Sequence, residues 1–234
     1  NGLLHVLFSA EVPAAGYAVY EVRGGGSRTA ASGLKAEDRT LENSIYRLTL
    51  DANGDICSIE DKRSGRELVE KGKSIRLALF TKNEAWEILK KTLDADPEPI
   101  CGDVKIRVAE QGPVRASLCV ERTHGESTFR QYITLTEGGQ DDRIDIVNEV
   151  DWASTDALLK AEFPLSVSNP KATYDLGVGS VARGNNTDTA YEVYAQQWAD
   201  LTAEDGSYGV SVLNDCKYGW DKPDDHTLRL TLLH

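Results

Sequence analysis

The sequence predicts an all-β fold of antiparallel strands, most simply a large β-sandwich. Four mostly alternating segments joined by short polar turns span residues 103–152, and hairpin-connected strands are typical of antiparallel sheets. Asn53-Gly54 between two apolar-rich runs is a strong hairpin signal. The segment from Tyr208 to Asn214 alternates tightly, as a half-buried strand does.

The first forty residues are predicted to contain two short strands and a linker. Residues 3–8 and 17–23 are apolar and β-branched, with a Pro/Gly loop between them. Residues 24–40 are rich in Gly and Ser and lack periodicity, which predicts a flexible linker. A phosphate-binding loop is the alternative for the glycines, but no strand, glycine turn and helix with a Lys-Ser/Thr pair follows.

The main domain is predicted to begin at Leu41. Two strands and two turns extend to Val69, and residues 75–80 form the next strand. Pro97 and Pro99 then interrupt the chain. The following four strands are predicted at residues 103–110, 114–124, 127–136 and 142–152.

The last third of the chain combines a predicted loop with further strands. Residues 173–187 are rich in Gly and Asn, which indicates a loop. Two short runs then flank an acidic turn at Thr202–Gly206, and a final strand covers residues 228–234. With few helix signals, the main domain fits one sandwich of about 190 residues. Periodicity alone does not distinguish this sandwich from a jelly roll.

Composition excludes several functions. The net charge of −12 argues against nucleic acid or an anionic membrane as the partner. No apolar run approaches the roughly 18 residues that a membrane span needs. The chain starts with Asn1-Gly2, has no signal peptide pattern and contains no Met, so we expect a piece of a longer polypeptide.

The four cysteines predict free thiols buried in strands. They are Cys57, Cys101, Cys119 and Cys216, and no C-x-x-C motif occurs, which argues against a zinc ribbon or redox motif. Free thiols favour a reducing compartment, so a cytoplasmic location is expected.

Residues that could carry chemistry are sparse. The four histidines, His5, His124, His226 and His234, lack the spacing of a metal site. Glu149 and Asp151 share one strand face and are candidates for an acid/base pair. Acids are abundant here, however, so such pairs also arise by chance. No nucleophile elbow and no dinucleotide fingerprint is present.

Several longer motifs resemble those of glycoside hydrolase family 38, the α-mannosidases. Residues 41–68 follow the family pattern L-E-N-x-x-Y-R to G-R-E-L closely. Asp151-Trp152, Leu158-Leu159-Lys160 and Phe163-Pro164 match a second pattern, in which Ser154 replaces the usual Glu. W-A-D-L at 198–201 and the run Y-G-V to Y-G-W-D at 208–221 match a third.

This resemblance implies a particular fold and domain organisation. Residues 41–234 would form a galactose mutarotase-like supersandwich, the family's C-terminal domain, truncated at its own C-terminus. Residues 1–23, which contain the similar V-P-A-x-G-Y segment, would be the tail of a preceding small β-domain.

The resemblance places catalysis outside this chain. Family members are retaining, zinc-dependent exo-α-mannosidases, and their zinc ligands and Asp nucleophile lie in an N-terminal catalytic domain. That domain is absent from the sequence, so we expect no catalytic or metal-binding residue here and an inactive isolated chain. Its role would be to pack on the catalytic domain and shape a pocket for mannose-containing glycans, which requires exposed apolar surface.

Arg183 is the candidate substrate-binding residue. Family members use an arginine of this region, within G-x-x-x-R-P, to reach a bound sugar across the domain boundary. Arg183 matches the arginine, while Gly184 replaces the proline. The alternative is an exposed arginine that is ion-paired to neighbouring acids, which contributes little energy.

Two other functions stay open from the sequence. A stand-alone supersandwich enzyme such as an aldose epimerase needs His and Glu converging on a concave face, and only His124 lies in mid-chain. A carbohydrate-binding module would expose a row of aromatic rings. The candidates are Trp152, Trp198, Tyr218 and Trp220, with Trp220 the least core-like; packing in the core is the other interpretation.

Overall fold

A computed structural model describes residues 5–24, 32–84, 86–137 and 142–234 of the chain. Its elements in chain order are β1 (Lys35–Glu37), β2 (Thr40–Glu42), β3 (Tyr46–Leu50), β4 (Ile56–Asp61), β5 (Arg66–Glu67), β6 (Arg76–Thr81), α1 (Lys90–Leu93), β7 (Glu98–Pro99), β8 (Gly102–Gln111), β9 (Arg115–His124), β10 (Ser127–Thr136), β11 (Asp145–Asp151), β12 (Ala157–Pro164), β13 (Lys171–Asp175), β14 (Ser180–Gly184), β15 (Val193–Tyr194), β16 (Trp198–Thr202), β17 (Gly209–Leu213), β18 (Gly219–Asp221) and β19 (Thr227–Leu233). None of the helical structure in these ranges has the length and hydrophobicity needed to cross a membrane.

The strands form four sheets, and each strand pair within the described ranges is antiparallel. Sheet 1 has the order β1-β2-β3-β4-β5, and sheet 2 has the order β11-β10-β9-β8. Sheet 3 has the order β15-β18-β19-β12-β6-β7, and sheet 4 has the order β14-β13-β16-β17. The predicted all-β, antiparallel class is therefore confirmed.

Sheets 1 and 2 share one hydrophobic core. Leu41 and Leu48 of sheet 1 are completely buried, and they belong to the same cluster as Leu118 and Leu135 of sheet 2. The alternation of β10 explains this, because its odd-numbered residues are buried while the even-numbered ones face solvent more. β9, an inner strand of this sheet, is buried on both faces from Ala116 to Val120.

Sheets 3 and 4 share a second core. Trp220 and Leu228 of sheet 3 pack in one cluster with Tyr174, Ala199 and Leu201 of sheet 4, and all five are completely buried. A third cluster links the two halves of the molecule, since Phe129 of sheet 2 packs with Leu79 and Leu159 of sheet 3.

The predicted turns are well reproduced. Asn53-Gly54 closes the β3–β4 hairpin, with Gly54 at φ +80°. A side chain at Gly54 would overlap Cγ1 of Val120 in the core, so the position requires glycine for two reasons. The acidic turn at Thr202–Gly206 lies between β16 and β17, as expected. Most of the polar turn between the strands predicted at 127–136 and 142–152, residues 138–141, lies outside the described residues.

The two strands predicted in the first 23 residues are not formed in the described part, residues 5–24. All side chains there are exposed. Phe8 packs against Tyr20 with a centroid distance of 5.0 Å, and the Tyr20 hydroxyl donates to the Glu11 carbonyl. The segment thus folds back without the hydrogen bonds of a strand pair. A two-stranded ribbon with no sheet or helix to cover it has only marginal stability.

Part of the predicted linker, residues 24–40, belongs to sheet 1. β1 pairs with β2, and both Leu34 and Ala36 are buried. The backbone N–H of Ala36 donates to Oε1 of Gln111 at 2.9 Å, which attaches this edge to β8. Residues 25–31 of the linker lie outside the described ranges.

Candidate functional site

Arg183 lies on β14, the edge strand of sheet 4, and not in the loop predicted for residues 173–187. β13 and β14 pair in register, with Arg183 opposite Ala172. Gly177 and Gly179 have positive φ and confine the turn to the segment between these strands. The glycines that suggested a long loop therefore serve a short hairpin turn.

The Arg183 side chain is held by a backbone oxygen and an aromatic ring. Its Nη1 donates to the carbonyl of Tyr194 at 2.5 Å. The guanidinium carbon lies 5.4 Å from the centre of the Tyr174 ring, within the range of a cation–π contact. Within the described ranges Arg183 forms no salt bridge, so the ion-paired alternative is not what the structure contains. The Arg183 side chain donates no other hydrogen bond to a described residue, so most of its five N–H donors stay available there.

An exposed aromatic pair, which we call the tyrosine platform (Tyr194 and Tyr218), adjoins Arg183 through the Tyr194 carbonyl. The ring centroids are 6.1 Å apart and the rings are stacked at 27°. Tyr194 is 46% exposed and Tyr218 is 49% exposed. Nε2 of Gln196 donates to the Tyr194 hydroxyl at the platform's edge. Of the four aromatic residues considered from the sequence, Tyr218 is the exposed one.

Trp220 is completely buried, so the expectation that it is the least core-like aromatic residue is wrong. It lies on β18 and contacts Tyr174 edge-on, with ring centroids 6.4 Å apart. Gly219 begins a strand of sheet 3, so Trp220 lies within the core and not in an exposed glycine turn. The Tyr174 hydroxyl and Trp220 Nε1 have no hydrogen-bond partner among the described residues. Burial, with a further contribution from Asp221, raises the pKa of Tyr174.

A buried ionic cluster lies beneath these aromatic residues; it comprises Lys160, Glu192, Asp221 and Arg229. Nζ of Lys160 lies 2.6 Å from Glu192 and 2.8 Å from Asp221. Nε and Nη2 of Arg229 both donate to Oδ2 of Asp221. β18, β19 and β12 are neighbours in sheet 3, and they supply three of these four side chains. The cluster is shielded from solvent and internally paired, so its role is structural.

The segment after Arg183 is attached to this cluster. The Asn186 side chain donates to Asp221 at 3.0 Å, and its carbonyl accepts from the Lys222 backbone at 2.9 Å. Nζ of Lys222 donates to Asn185 at 2.7 Å. The hairpin that carries Arg183 is thereby tied to β18. In the sequence, Lys160 and Asp221 stand out only as residues of family motifs. A Lys or Arg within an otherwise apolar strand is the signal that could have indicated a buried ionic cluster.

Glu149 and Asp151 do share the open face of sheet 2, as predicted. They line a cavity of about 670 Å³ together with Arg130 and Glu121. Arg130 binds Glu149 at 3.0 Å on one side and Glu121 at 3.0 Å on the other. Glu149 and Glu121 therefore flank Arg130 in a solvated row of alternating charges, to which no salt bridge joins Asp151 among the described residues. An acid/base role for Glu149 and Asp151 stays an untested prediction.

The histidines do not converge. His124 lies 3.5 Å from Glu98, while the His226 ring is close to two backbone carbonyls, and His234 reaches the Glu84 carbonyl. The described residues contain no group of three or more His, Cys, Asp or Glu side chains that could hold a metal ion. The zinc that the family resemblance implies would be held by the separate catalytic domain and not by these residues.

Comparison with protein families identifies the chain. The model described as the glycosyl hydrolases family 38 C-terminal domain matches residues 41–234. The chain therefore belongs to glycosyl hydrolase family 38 and contains its C-terminal domain, a non-catalytic region of these enzymes. This confirms the resemblance noted in the sequence.

Individual relatives are α-mannosidases. The chain is 31% identical over 192 residues to alpha-mannosidase 2C1 of Mus musculus and to that of Homo sapiens, which covers 77% of the chain. A family 38 protein from Enterococcus faecalis has a similar fold, with a TM-score of 0.74 over 90% of the chain at 16% identity. The chain spans only 18% of the curated relatives' length and 28% of that structure.

Proposed function

We propose that this family 38 C-terminal domain serves an α-mannosidase. In this proposal it packs on a catalytic domain of the same polypeptide and places Arg183 at the rim of a pocket for mannose-containing glycans. The names of the relatives support the activity. The catalytic domain would supply zinc, the Asp nucleophile and the retaining mechanism.

The proposed architecture is the galactose mutarotase-like supersandwich, formed by residues 41–234 together with β1 of sheet 1, with residues 1–23 as the tail of a smaller β-domain. The two separate cores support this architecture, since each lies between a pair of sheets. The four free cysteines are consistent with the proposed cytoplasmic location.

The placement of Arg183 carries the proposal. Its guanidinium is oriented by the Tyr194 carbonyl and the Tyr174 ring, while further N–H donors stay free. A planar guanidinium with several fixed donors suits the recognition of adjacent oxygen atoms. Because Arg183 is on an edge strand, no other strand of sheet 4 separates it from a neighbouring domain.

Exposed apolar side chains at the same sheet support a domain contact. Val178 in the β13–β14 turn is fully exposed, and Leu213 at the end of β17 is 73% exposed. Trp198 pairs with Leu213, and the backbone of Gln197 binds Asp175, so these strand ends meet at one end of sheet 4. An apolar surface of this kind is expected where a partner domain packs.

Enzyme activity tests the proposal. We would measure hydrolysis of an aryl α-mannoside with zinc by the enzyme that contains this domain, in native form and as Arg183→Ala. Loss of one charged hydrogen bond to the substrate should lower kcat/KM about tenfold or more. Arg107→Ala, on the solvated face of sheet 2, is the matched control and should leave kcat/KM unchanged.

The isolated 234-residue chain belongs in the same assay and should be inactive. Full activity of Arg183→Ala would refute the assigned role of Arg183. Turnover by the isolated chain would show that chemistry lies within it, and Glu149 and Asp151 would then be the residues to replace.

A further inference from the structure

The tyrosine platform is anchored through its backbone and through the Tyr194 hydroxyl, although both rings are exposed. Tyr194 belongs to β15 and pairs with Gly219 of β18. Arg183 binds its carbonyl, and Gln196 binds its hydroxyl. The Tyr218 carbonyl accepts from the Ala195 backbone at 3.0 Å. Large aromatic surface that stays about half exposed, yet is fixed by its surroundings, is preorganised for a ligand.

The chemistry around the platform restricts that ligand. Its rings offer an apolar face with a negative quadrupole, which attracts the C–H groups of an opposing surface. Arg183 and the Gln196 carboxamide stand at its edge as planar polar groups that can bind hydroxyls. The chain carries a net charge of −12, which disfavours an anionic ligand. A neutral ring with one apolar face and several hydroxyls satisfies all of these conditions.

We propose that the tyrosine platform is a sugar-stacking subsite beside Arg183. The apolar C–H face of a neutral pyranose lies on the exposed rings, while its hydroxyls bind Arg183 and Gln196. The proposal rests on the proposed function, because it takes the same class of ligand, and it adds a second contact within this domain. Arg183 then acts as one edge of a shared surface rather than as an isolated arginine.

Direct binding to the 234-residue chain tests the subsite. Methyl α-D-mannopyranoside is the probe, and saturation-transfer NMR gives its Kd and the protons in contact. Tyr218→Ala and Tyr194→Ala should each weaken binding about fivefold or more, the size expected for one aromatic contact. Tyr218→Phe keeps the ring and should bind like the native chain. Tyr17→Ala, an exposed tyrosine of residues 5–24, is the control and should have no effect.

The outcomes separate this proposal from the proposed function. Thermal unfolding of each variant first shows that it is folded. Absence of binding at about 100 mM probe, far above a millimolar Kd, would overturn the subsite. Binding that survives both alanine substitutions would also overturn the subsite. An equal loss of affinity in Tyr17→Ala would overturn it as well. If the alanine variants bind the probe normally but weaken the enzyme's domain contact, the platform is a protein contact and the subsite is refuted. The effect of Arg183→Ala on enzyme activity stands independently of each result.

Discussion

Lys160 and Asp221 form a salt bridge of 2.8 Å in which both side chains are completely buried. Arg229 binds the other carboxylate oxygen at 2.6 Å. Asp221 therefore neutralises two cations that come from neighbouring strands of sheet 3. Buried ion pairs seldom stabilise a protein more than apolar residues would, but removal of one partner is costly.

Asp221→Asn should therefore destabilise the domain severely. The substitution leaves Lys160 and Arg229 buried without their shared counter-charge, for an expected loss of about 3–5 kcal/mol in the free energy of unfolding. Urea denaturation followed by circular dichroism measures this. Asp94→Asn removes an exposed ion pair with Lys90 and should change stability little. Similar small effects of both substitutions would show that the buried cluster is not essential to the fold.

Gly54→Ala and Gly65→Ala should lower the free energy of unfolding by different amounts. Both glycines have positive φ, so each alanine carries the strain of a left-handed conformation, about 1 kcal/mol. At Gly65 a new Cβ meets open space, whereas at Gly54 it would overlap Val120 in the core. Overpacking adds about 1–3 kcal/mol at Gly54 alone. Chemical unfolding of the two variants gives the difference, and equal losses would mean that the core adjusts around residue 54.

Local patterns were sufficient to predict much of the fold. The strands of sheet 2 and the turn at Asn53-Gly54 follow from alternation and turn chemistry, which act between near neighbours in sequence. The strands predicted in residues 3–8 and 17–23 failed because propensity cannot supply a partner sheet. β1 was missed within residues 24–40, since its burial depends on β8 and Gln111, far along the chain.

The candidate site was harder to predict from the sequence than the fold was. Arg183 was identified by resemblance, but its strand was taken for a loop because two turn glycines dominated the composition. The burial of Trp220 and the pairing of Lys160 with Asp221 arise only when β12, β18 and β19 come together in one sheet. The tyrosine platform likewise joins two distant segments. Such contacts are set by topology, which local periodicity does not encode.

The unpartnered hydroxyl of Tyr174 leads to a prediction about pH. Tyr174→Phe removes a buried polar group that has no partner among the described residues, so at pH 8 stability should be unchanged or slightly higher. An unfolded tyrosine titrates near pH 10, while burial and Asp221 raise the pKa of Tyr174 in the folded chain. The unfolded state therefore releases this proton first, and the native chain loses stability as the pH rises above about 10.

Tyr174→Phe has no hydroxyl to ionise and does not lose stability in this way. Its advantage, the excess of its free energy of unfolding over that of the native chain, should therefore grow between pH 9 and about pH 11. Urea unfolding at both pH values measures the advantage. Tyr218→Phe is the matched control, because its hydroxyl is on an exposed side chain, and its stability relative to the native chain should stay nearly constant. If the Tyr174→Phe advantage were the same at both pH values, the hydroxyl would ionise as easily in the folded chain as in the unfolded one. The Tyr174 hydroxyl would then have to be reached by water, contrary to the packed core between sheets 3 and 4.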